Sequence, residues 1–371
     1  MTCGYRFRIY PNDTQRKQIT NCFGCCRYIY NYFLAKRNEL YISTNNFPTF
    51  SEHQKDLIEL KENCEWLKDV QYYTLSMALQ NMDIAYRKFL SRVTTNNETK
   101  HPRFKSKFDR KQSFKIRCTN ANTKFQEKAI ILPMLGKIKC RVSRDVYGRI
   151  LSGTISRNSS GKFFVSLLIT DMEKDYFLST GKYVGIDLGL KSLVTTSDGD
   201  EYVNHRFVRK NLKRISKQDK RISKKIKRSK NHAKSITRIS SMYERVINQR
   251  TDIIHKLTTQ LIREYDVVCI ENLCITDLFK QKNLARLKAD ASFGIVRDQL
   301  KYKSKWYGKE VIAIDRYFPS SQKCSSCGYI EKDLKKIDIR EWKCSVCGIE
   351  HKRDINAAKN ILYEGMKIYY S

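Results

Sequence analysis

At 371 residues the chain can hold two or three domains, each large enough to bury a core. Its 72 Lys and Arg against 38 Asp and Glu leave a formal net charge of +34, which argues for nucleic acid as partner and against a membrane-surface role, since no amphipathic anchor stands apart. No apolar run reaches the length of a membrane span and the N-terminus lacks an apolar signal core, so the expected location is cytoplasmic, at the nucleoid when DNA is bound, where the 13 cysteines read as reduced thiols and metal ligands.

In chain order, residues 5–10 alternate aromatic or apolar with Arg and predict a strand with one basic face. Residues 11–14 then start a helix, and 15–36 carry apolar residues at helical spacing. Within it, Cys22, Cys25 and Cys26 read as core thiols, because no second ligand pair lies nearby. Further helices are predicted over 50–61 and 70–93. In the latter, Tyr73 and Gln80 stand among polar, aromatic and basic residues suited to a duplex or an RNA. From residue 101 the texture changes. Arg103, Lys105 and Lys107 lead into short strands at 113–117, 129–132, 137–142, 150–157 and 163–170. With the first strand these would form a small β-barrel interrupted by helical residues 11–100. Its interleaved basic and aromatic side chains suit RNA backbone and bases.

Residues 182–196 read as a hairpin: a short apolar strand ending on Asp187, a tight turn at Gly189 and a returning strand. An unpaired buried carboxylate is costly and asks for a metal or a partner. The dense basic run 206–250 keeps apolar residues at helical spacing and predicts two long helices with a break near 231–232. Lys213, Arg214, Lys224 and Lys225 in this run are expected to face phosphates. A third periodic stretch, 253–261, leads into 266–271, a second apolar strand ending on a carboxylate, Glu271. Residues 284–307 read as a helix, 310–315 as a strand, and Asp354 stands at the start of a last helix. Three acids on separate elements could converge on divalent cations, Mg²⁺ or Mn²⁺, for two-metal phosphodiester cleavage. Cys324, Cys327, Cys344 and Cys347 have the paired spacing of a zinc ribbon, with Gly328 and Gly348 directly after each second cysteine. His351, one turn before Asp354, could approach the metals, but reads first as an exposed or packing residue at the ribbon's exit.

The segments Gly185-Ile-Asp-Leu-Gly-Leu190, Ile270-Glu-Asn-Leu273 and Arg353-Asp-Ile-Asn-Ala-Ala358 resemble the three catalytic segments of RuvC-type, RNase H-like nucleases. More narrowly they resemble TnpB, the transposon-encoded RNA-guided DNA nucleases related to compact type V CRISPR effectors. Tyr5 to Pro11, Phe23 to Asn31, His101 to Lys105 and Pro319-Ser-Ser321 extend the resemblance over nearly the whole chain. It implies an α/β multidomain protein: a wedge β-barrel at 1–10 and 101–176, a helical recognition lobe at 11–100, and a RuvC-like nuclease at 177–371 with a zinc ribbon inserted at 320–350. It also implies catalysis by Asp187, Glu271 and Asp354, a guide RNA from the transposon end, and double-stranded target DNA cut beside a short protein-read motif. Two other readings stand beside it. A guide-free, structure-specific endonuclease would not need the helical and barrel half. A transposon-encoded DNA-binding regulator would not need three intact acids.

Overall fold

Alternation of Phe7 and Ile9 inward with Arg6 and Arg8 outward makes the first segment a strand, β1 (Cys3–Tyr10), in a sheet with one apolar face. The computed structural model describes residues 2–44, 48–93, 101–171, 176–272, 292–331, 334 and 339–371. They fall into two compact units, Met1–Glu173 and Lys174–Ser371.

In the first unit β1 is followed by α1 (Asp13–Thr44), α2 (Phe50–Asn63), α3 (Glu65–Lys68) and α4 (Tyr72–Val93). Then come β2 (Gln112–Ile116), β3 (Lys124–Gln126), β4 (Ala129–Leu132), β5 (Gly136–Arg141), β6 (Arg149–Arg157) and β7 (Phe163–Thr170). The seven strands pair antiparallel in the order β2-β6-β7-β1-β5-β4-β3. Three strand spacings, about 14 Å on a flat sheet, separate β1 from β3. Yet the Phe7 and Phe125 rings lie 5.1 Å apart, so the sheet coils strongly over its core. Strand β3 escapes sequence reasoning because Lys124-Phe-Gln offers a single apolar residue. Cys22, Cys25 and Cys26 are buried in α1 against the strands and helices of this core. Burial pushes the Cys22 thiol up to about 12 and Cys25 to about 11, as inert core thiols should be.

The second unit is built on β8 (Tyr183–Asp187), β9 (Ser192–Thr196), β10 (Glu201–Val203), β11 (Val267–Glu271) and β12 (Glu310–Ile314), in the order β10-β9-β8-β11-β12. The hairpin strands are antiparallel, whereas β11 and β12 run parallel to β8. Helices α5 (Phe207–Ser223) and α6 (Lys230–Glu264) precede β11, α7 (Phe293–Tyr307) precedes β12, and α8 (Arg353–Tyr370) follows a small ribbon, β13 (Glu341–Lys343) and β14 (Glu350–Lys352). The predicted break in the basic run is misplaced. It falls at residues 224–229, because the Ser229 hydroxyl caps α6 by accepting from the His232 amide at 3.1 Å and Arg228 takes a left-handed φ of 68°. The 253–261 stretch is therefore the C-terminal part of α6 itself. The 284–291 part of the predicted helix lies outside the described residues.

Helix α8 rests on the sheet with almost no side chain between. A Cβ built on Gly185 of β8 would meet Ala358 O at 2.1 Å and Leu362 N at 2.5 Å, and one on Gly365 of α8 would meet Cys269 Sγ of β11 at 2.3 Å. Side chains alternate faces along a strand, so Asp187 shares the α8 face with Gly185, and Glu271 shares it with Cys269. Two residues of strand advance about 6.6 Å, and four residues of helix about 6 Å. Asp354, four residues before Ala358, therefore comes level with Asp187, two residues beyond Gly185. A Gly185→Ala substitution should destabilise the second unit by about 3 kcal/mol, because the opposing atoms are backbone and cannot turn aside. Urea unfolding of the full chain measures it. A loss below about 0.5 kcal/mol, the usual scale of a neutral surface change, would show that the helix does not need this approach.

Candidate active site and metal centre

Strands β8 and β11 are parallel neighbours with Ile186 opposite Ile270, so Asp187 and Glu271 emerge together at one end of the sheet. The first turn of α8 brings Asp354 to the same end. Burial, with the nearby charges of Glu271 and then Asp354, pushes Asp187 up to about 8; Arg353 and the Leu188 amide oppose this. Burial also raises Glu271, against the hydroxyl of Ser320, which donates a short hydrogen bond to Glu271 Oε1. The Asp354 carboxylate is held by Arg340, whose Nη1 donates to both oxygens at 3.1 and 3.2 Å. Burial and its acidic neighbours thus favour the protonated form of Asp187, while Asp354 leans on an arginine. A site in which burial and two neighbouring acids raise the cost of ionising a third suits a divalent cation, whose charge would offset that cost.

Two asparagines of α8 steady this end. Asn356 and Asn360 of α8 donate to the Lys323 carbonyl at 2.8 and 2.6 Å. Asn360 also donates to Ser320 O at 2.8 Å, and Asn356 Oδ1 accepts from the Ser325 amide at 2.9 Å. Ser320, Arg340, Asn356 and Asn360 were not singled out by sequence reasoning. For the asparagines a signal existed, since two buried Asn at i and i+4 are poor helix formers and need a partner elsewhere. For Arg340, 14 residues before Asp354, there was none.

The cysteines assemble as their spacing predicts. Cys324, Cys327, Cys344 and Cys347 have all four Sγ atoms within 4.8 Å of one another, with Cys324–Cys347 at 3.7 Å and Cys327–Cys344 at 3.6 Å. Four thiolates about 2.3 Å from one Zn²⁺ in a tetrahedron stand about 3.8 Å apart, so the donor set fits zinc. The two halves repeat one turn. The amides of Gly328 and Gly348 donate at 2.9 Å to the carbonyls of Cys324 and Cys344, and both glycines take left-handed φ values of 80° and 70°. Its buried apolar cluster among the described residues is small: Cys324, Leu334, Trp342 and Cys344. His351 packs on Trp342, ring centroids 4.9 Å apart, and its Nε2 lies 3.1 Å from Cys324 Sγ. It thus faces the thiols.

The residues proposed for nucleic acid divide. Arg103, Lys105, Lys107, Lys213, Arg214 and Lys224 are exposed, and Tyr73 and Gln80 are half-buried on α4. Lys105 Nζ sits 4.1 Å over the Tyr30 ring, and burial there lowers its pKa. Lys225 Nζ donates to Ser235 Oγ at 2.5 Å and Asn231 O at 3.4 Å, so it braces the α5–α6 turn and is less available to a phosphate than predicted.

Comparison with known proteins gives the chain's family. Residues 169–282 match a family described as "Probable transposase" (OrfB), residues 293–361 a Cas12f1-like TNB domain, and residues 1–45 a helix-turn-helix domain, although here those residues fold as β1 and one continuous helix. A protein of Streptomyces pristinaespiralis named "Putative RNA-guided DNA endonuclease" is 34% identical over 98% of this chain and 89% of its own length. The Escherichia coli protein "Putative RNA-guided DNA endonuclease InsQ" is 29% identical over 97% of this chain and 92% of its own. Among solved structures, the protein of a Cas12f1-sgRNA-target DNA complex shares the fold with a TM-score of 0.59, at 14% identity, over 97% of this chain and 98% of that one. A relative 34% identical along almost the entire chain, together with the OrfB match, makes this chain a member of the TnpB family.

Proposed function

We propose that the chain is a transposon-encoded, RNA-guided DNA endonuclease that hydrolyses phosphodiesters at Asp187, Glu271 and Asp354. The observation that carries this reading is the meeting of three acids at one sheet end, with Asp187 pushed up by burial and then by the other two. The names of its relatives support the guide and the DNA substrate. Under this reading the second unit is a RuvC-type nuclease with a zinc ribbon at 320–350. The coiled sheet of the first unit is the wedge barrel, and α1 to α4 are the recognition lobe. Tyr73 and Gln80 meet the duplex beside the target, Arg103, Lys105 and Lys107 the RNA, and Lys213, Arg214 and Lys224 phosphates. The protein works in the cytoplasm, at the nucleoid when bound to DNA.

Asp187, Glu271 and Asp354 would hold the divalent cations, Mg²⁺ or Mn²⁺. When bound, such cations activate a water and stabilise the leaving oxygen of the phosphodiester. The chain's own residues set the stage. Asp187 would hold a cation as the carboxylate, the form that burial and its neighbours disfavour. Ser320 fixes the rotamer of Glu271 by donating to Oε1. Arg340 holds the Asp354 carboxylate at the helix start, and a guanidinium there also suits a substrate phosphate. Asp354 lies in the first turn of α8, where the unpaired amides favour negative charge.

Changing Asp187, Glu271 or Asp354 singly to Ala should reduce cleavage of a matched duplex to background while leaving guide and target binding largely intact. Double changes should be no worse than single ones, because each dismantles the same site. The assay is cleavage by the protein with its copurifying RNA, with and without Mg²⁺. Equal cutting without RNA would favour the structure-specific endonuclease, and target binding that never leads to cutting would favour the regulator. Elemental analysis should find about one zinc per chain. Replacing Cys324 and Cys344 together with Ser should release it and lower the unfolding temperature of the second unit. Full zinc retention in that double variant would overturn the ribbon.

A further inference from the structure

Backbone amides serve three sulfurs of the cysteine cluster. Cys344 Sγ accepts from the amides of Cys347 and Val346, Cys327 Sγ from that of Tyr329, and Cys347 Sγ from that of Ile349. At Cys324 a side chain from another element takes part: His351 Nε2, on β14, lies 3.1 Å from Sγ. Cys324 is 1% exposed, so water is a poor substitute there and a donor has to come from the protein. The imidazole is held in place. Trp342 and His351 are register partners across β13 and β14, with ring centroids 4.9 Å apart and planes at 38°, and the indole is itself buried. The set of donor atoms lying within 4.8 Å of one another holds the four sulfurs and not His351, and their separations already match a filled tetrahedron. His351 therefore stands outside the coordination set and against one of its members.

A thiolate bound to a cation has lone pairs and no proton, so it can only accept a hydrogen bond. A ring nitrogen at hydrogen-bonding distance must then carry the proton, which selects the tautomer with the proton on Nε2. Four thiolates on one divalent cation leave an excess of negative charge on sulfur. An N–H aimed at one of them offsets part of that charge and makes the sulfur a poorer target for the protonation that releases the metal. The same bond has a mechanical side. The residues flanking Cys324 are tied to α8, since Asn356 and Asn360 donate to Lys323 O and the Ser325 amide donates to Asn356 Oδ1. His351 stands two residues before the first residue of α8, on the strand that leads into it. The Cys324 turn is thus fastened both to α8 and to the strand that enters it.

We propose that His351 is a positioning residue of the cysteine metal centre: its Nε2–H donates to the metal-bound Cys324 thiolate, slows release of the zinc and joins the ribbon to the start of α8. The inference rests on the zinc reading of the four cysteines. His351 is not itself a ligand.

The test loads the full chain, labelled with ¹⁵N at histidine, with ¹¹³Cd in place of zinc. In the magnetic resonance spectrum of the unmutated protein, the Nε2 proton of His351 should couple to ¹¹³Cd through Cys324 Sγ, and that signal should vanish in His351→Phe. In the zinc form, His351→Phe keeps a ring against Trp342 but has no N–H. It should lose zinc to a chelating dye about tenfold faster, the lower end of what removing an outer partner of a metal ligand costs. His351→Gln, whose amide can reach the same place, should stay near the unmutated rate. A direct coupling of Nε2 itself to ¹¹³Cd would make His351 a ligand and overturn the proposal. So would an Nε2 that carries no proton, or a Phe variant that holds zinc as long as the unmutated chain does. The coupling is read on the unmutated protein, so it stands whether or not a variant folds. A chain that bound neither zinc nor cadmium would end the zinc reading and this one together; cadmium bound without the coupling would end this one alone.

Discussion

The second unit depends on one close approach, the backbone of α8 lying directly on β8 at Gly185. A side chain there would collide with Ala358 O and Leu362 N, so the helix can sit at this height only over a glycine. The height matters because the rest of the site is measured from it. Asp187 is two residues along the strand and Asp354 one helical turn along α8, and the two steps are nearly equal in length. Gly365 repeats the arrangement against Cys269 of β11, and that strand delivers Glu271. Raising the helix by one methyl would displace Asp354 and leave the other two acids where the sheet holds them. The positions of the acids are thus set by packing some distance from the chemistry.

This explains which parts of the molecule were legible in the sequence. Strand periodicity and terminal carboxylates located Asp187 and Glu271, since period-two burial is written in adjacent residues. The Cys-x-x-Cys pairs were legible for the same reason, each turn being a local device closed by its own glycine. What could not be read were contacts between distant residues. Arg340 reaches Asp354 only because Arg353 N donates to Arg340 O at 2.8 Å, a pairing no local pattern announces. Gly185 stands as a glycine inside a strand, a local sign of close backbone approach, but the sequence does not say that α8 is the element that approaches. The α5–α6 break was misplaced because Asn231 and His232 look like breakers, whereas Ser229 as a cap decides where α6 begins. His351 shows the limit of spacing arguments. One turn from Asp354 in sequence, it is on β14 and faces the thiols.

A basic chain that gathers three acids at one point must hold them there by means other than their own attraction. At the other end of the same sheet, the arrangement is reversed. Asp266 accepts from Ser179 Oγ at 2.6 Å, the Thr180 amide at 3.0 Å, the Gly181 amide at 2.7 Å and the buried ammonium of Lys309, which together hold its carboxyl well below the usual carboxylate range. A depressed pKa of this kind contributes stability that is present above the ordinary carboxylate pKa and is lost only as pH falls through the folded value. The two ends of β11 therefore carry opposite electrostatics. Asp266, before its first residue, is fully partnered and stabilises the fold. Glu271, its last residue, has its pKa raised by burial and accepts a hydrogen bond from Ser320 among the described residues. A sheet anchored at the Asp266 end can tolerate strain at the Glu271 end, because the parallel register from Val267↔Tyr183 to Ile270↔Ile186 transmits the anchoring along every residue between. The acids need not stabilise the fold to stay in place. Burial disfavours the charges of Asp187 and Glu271 at that end, while the anchoring contacts lie about 17 Å away, five strand residues along the same strand.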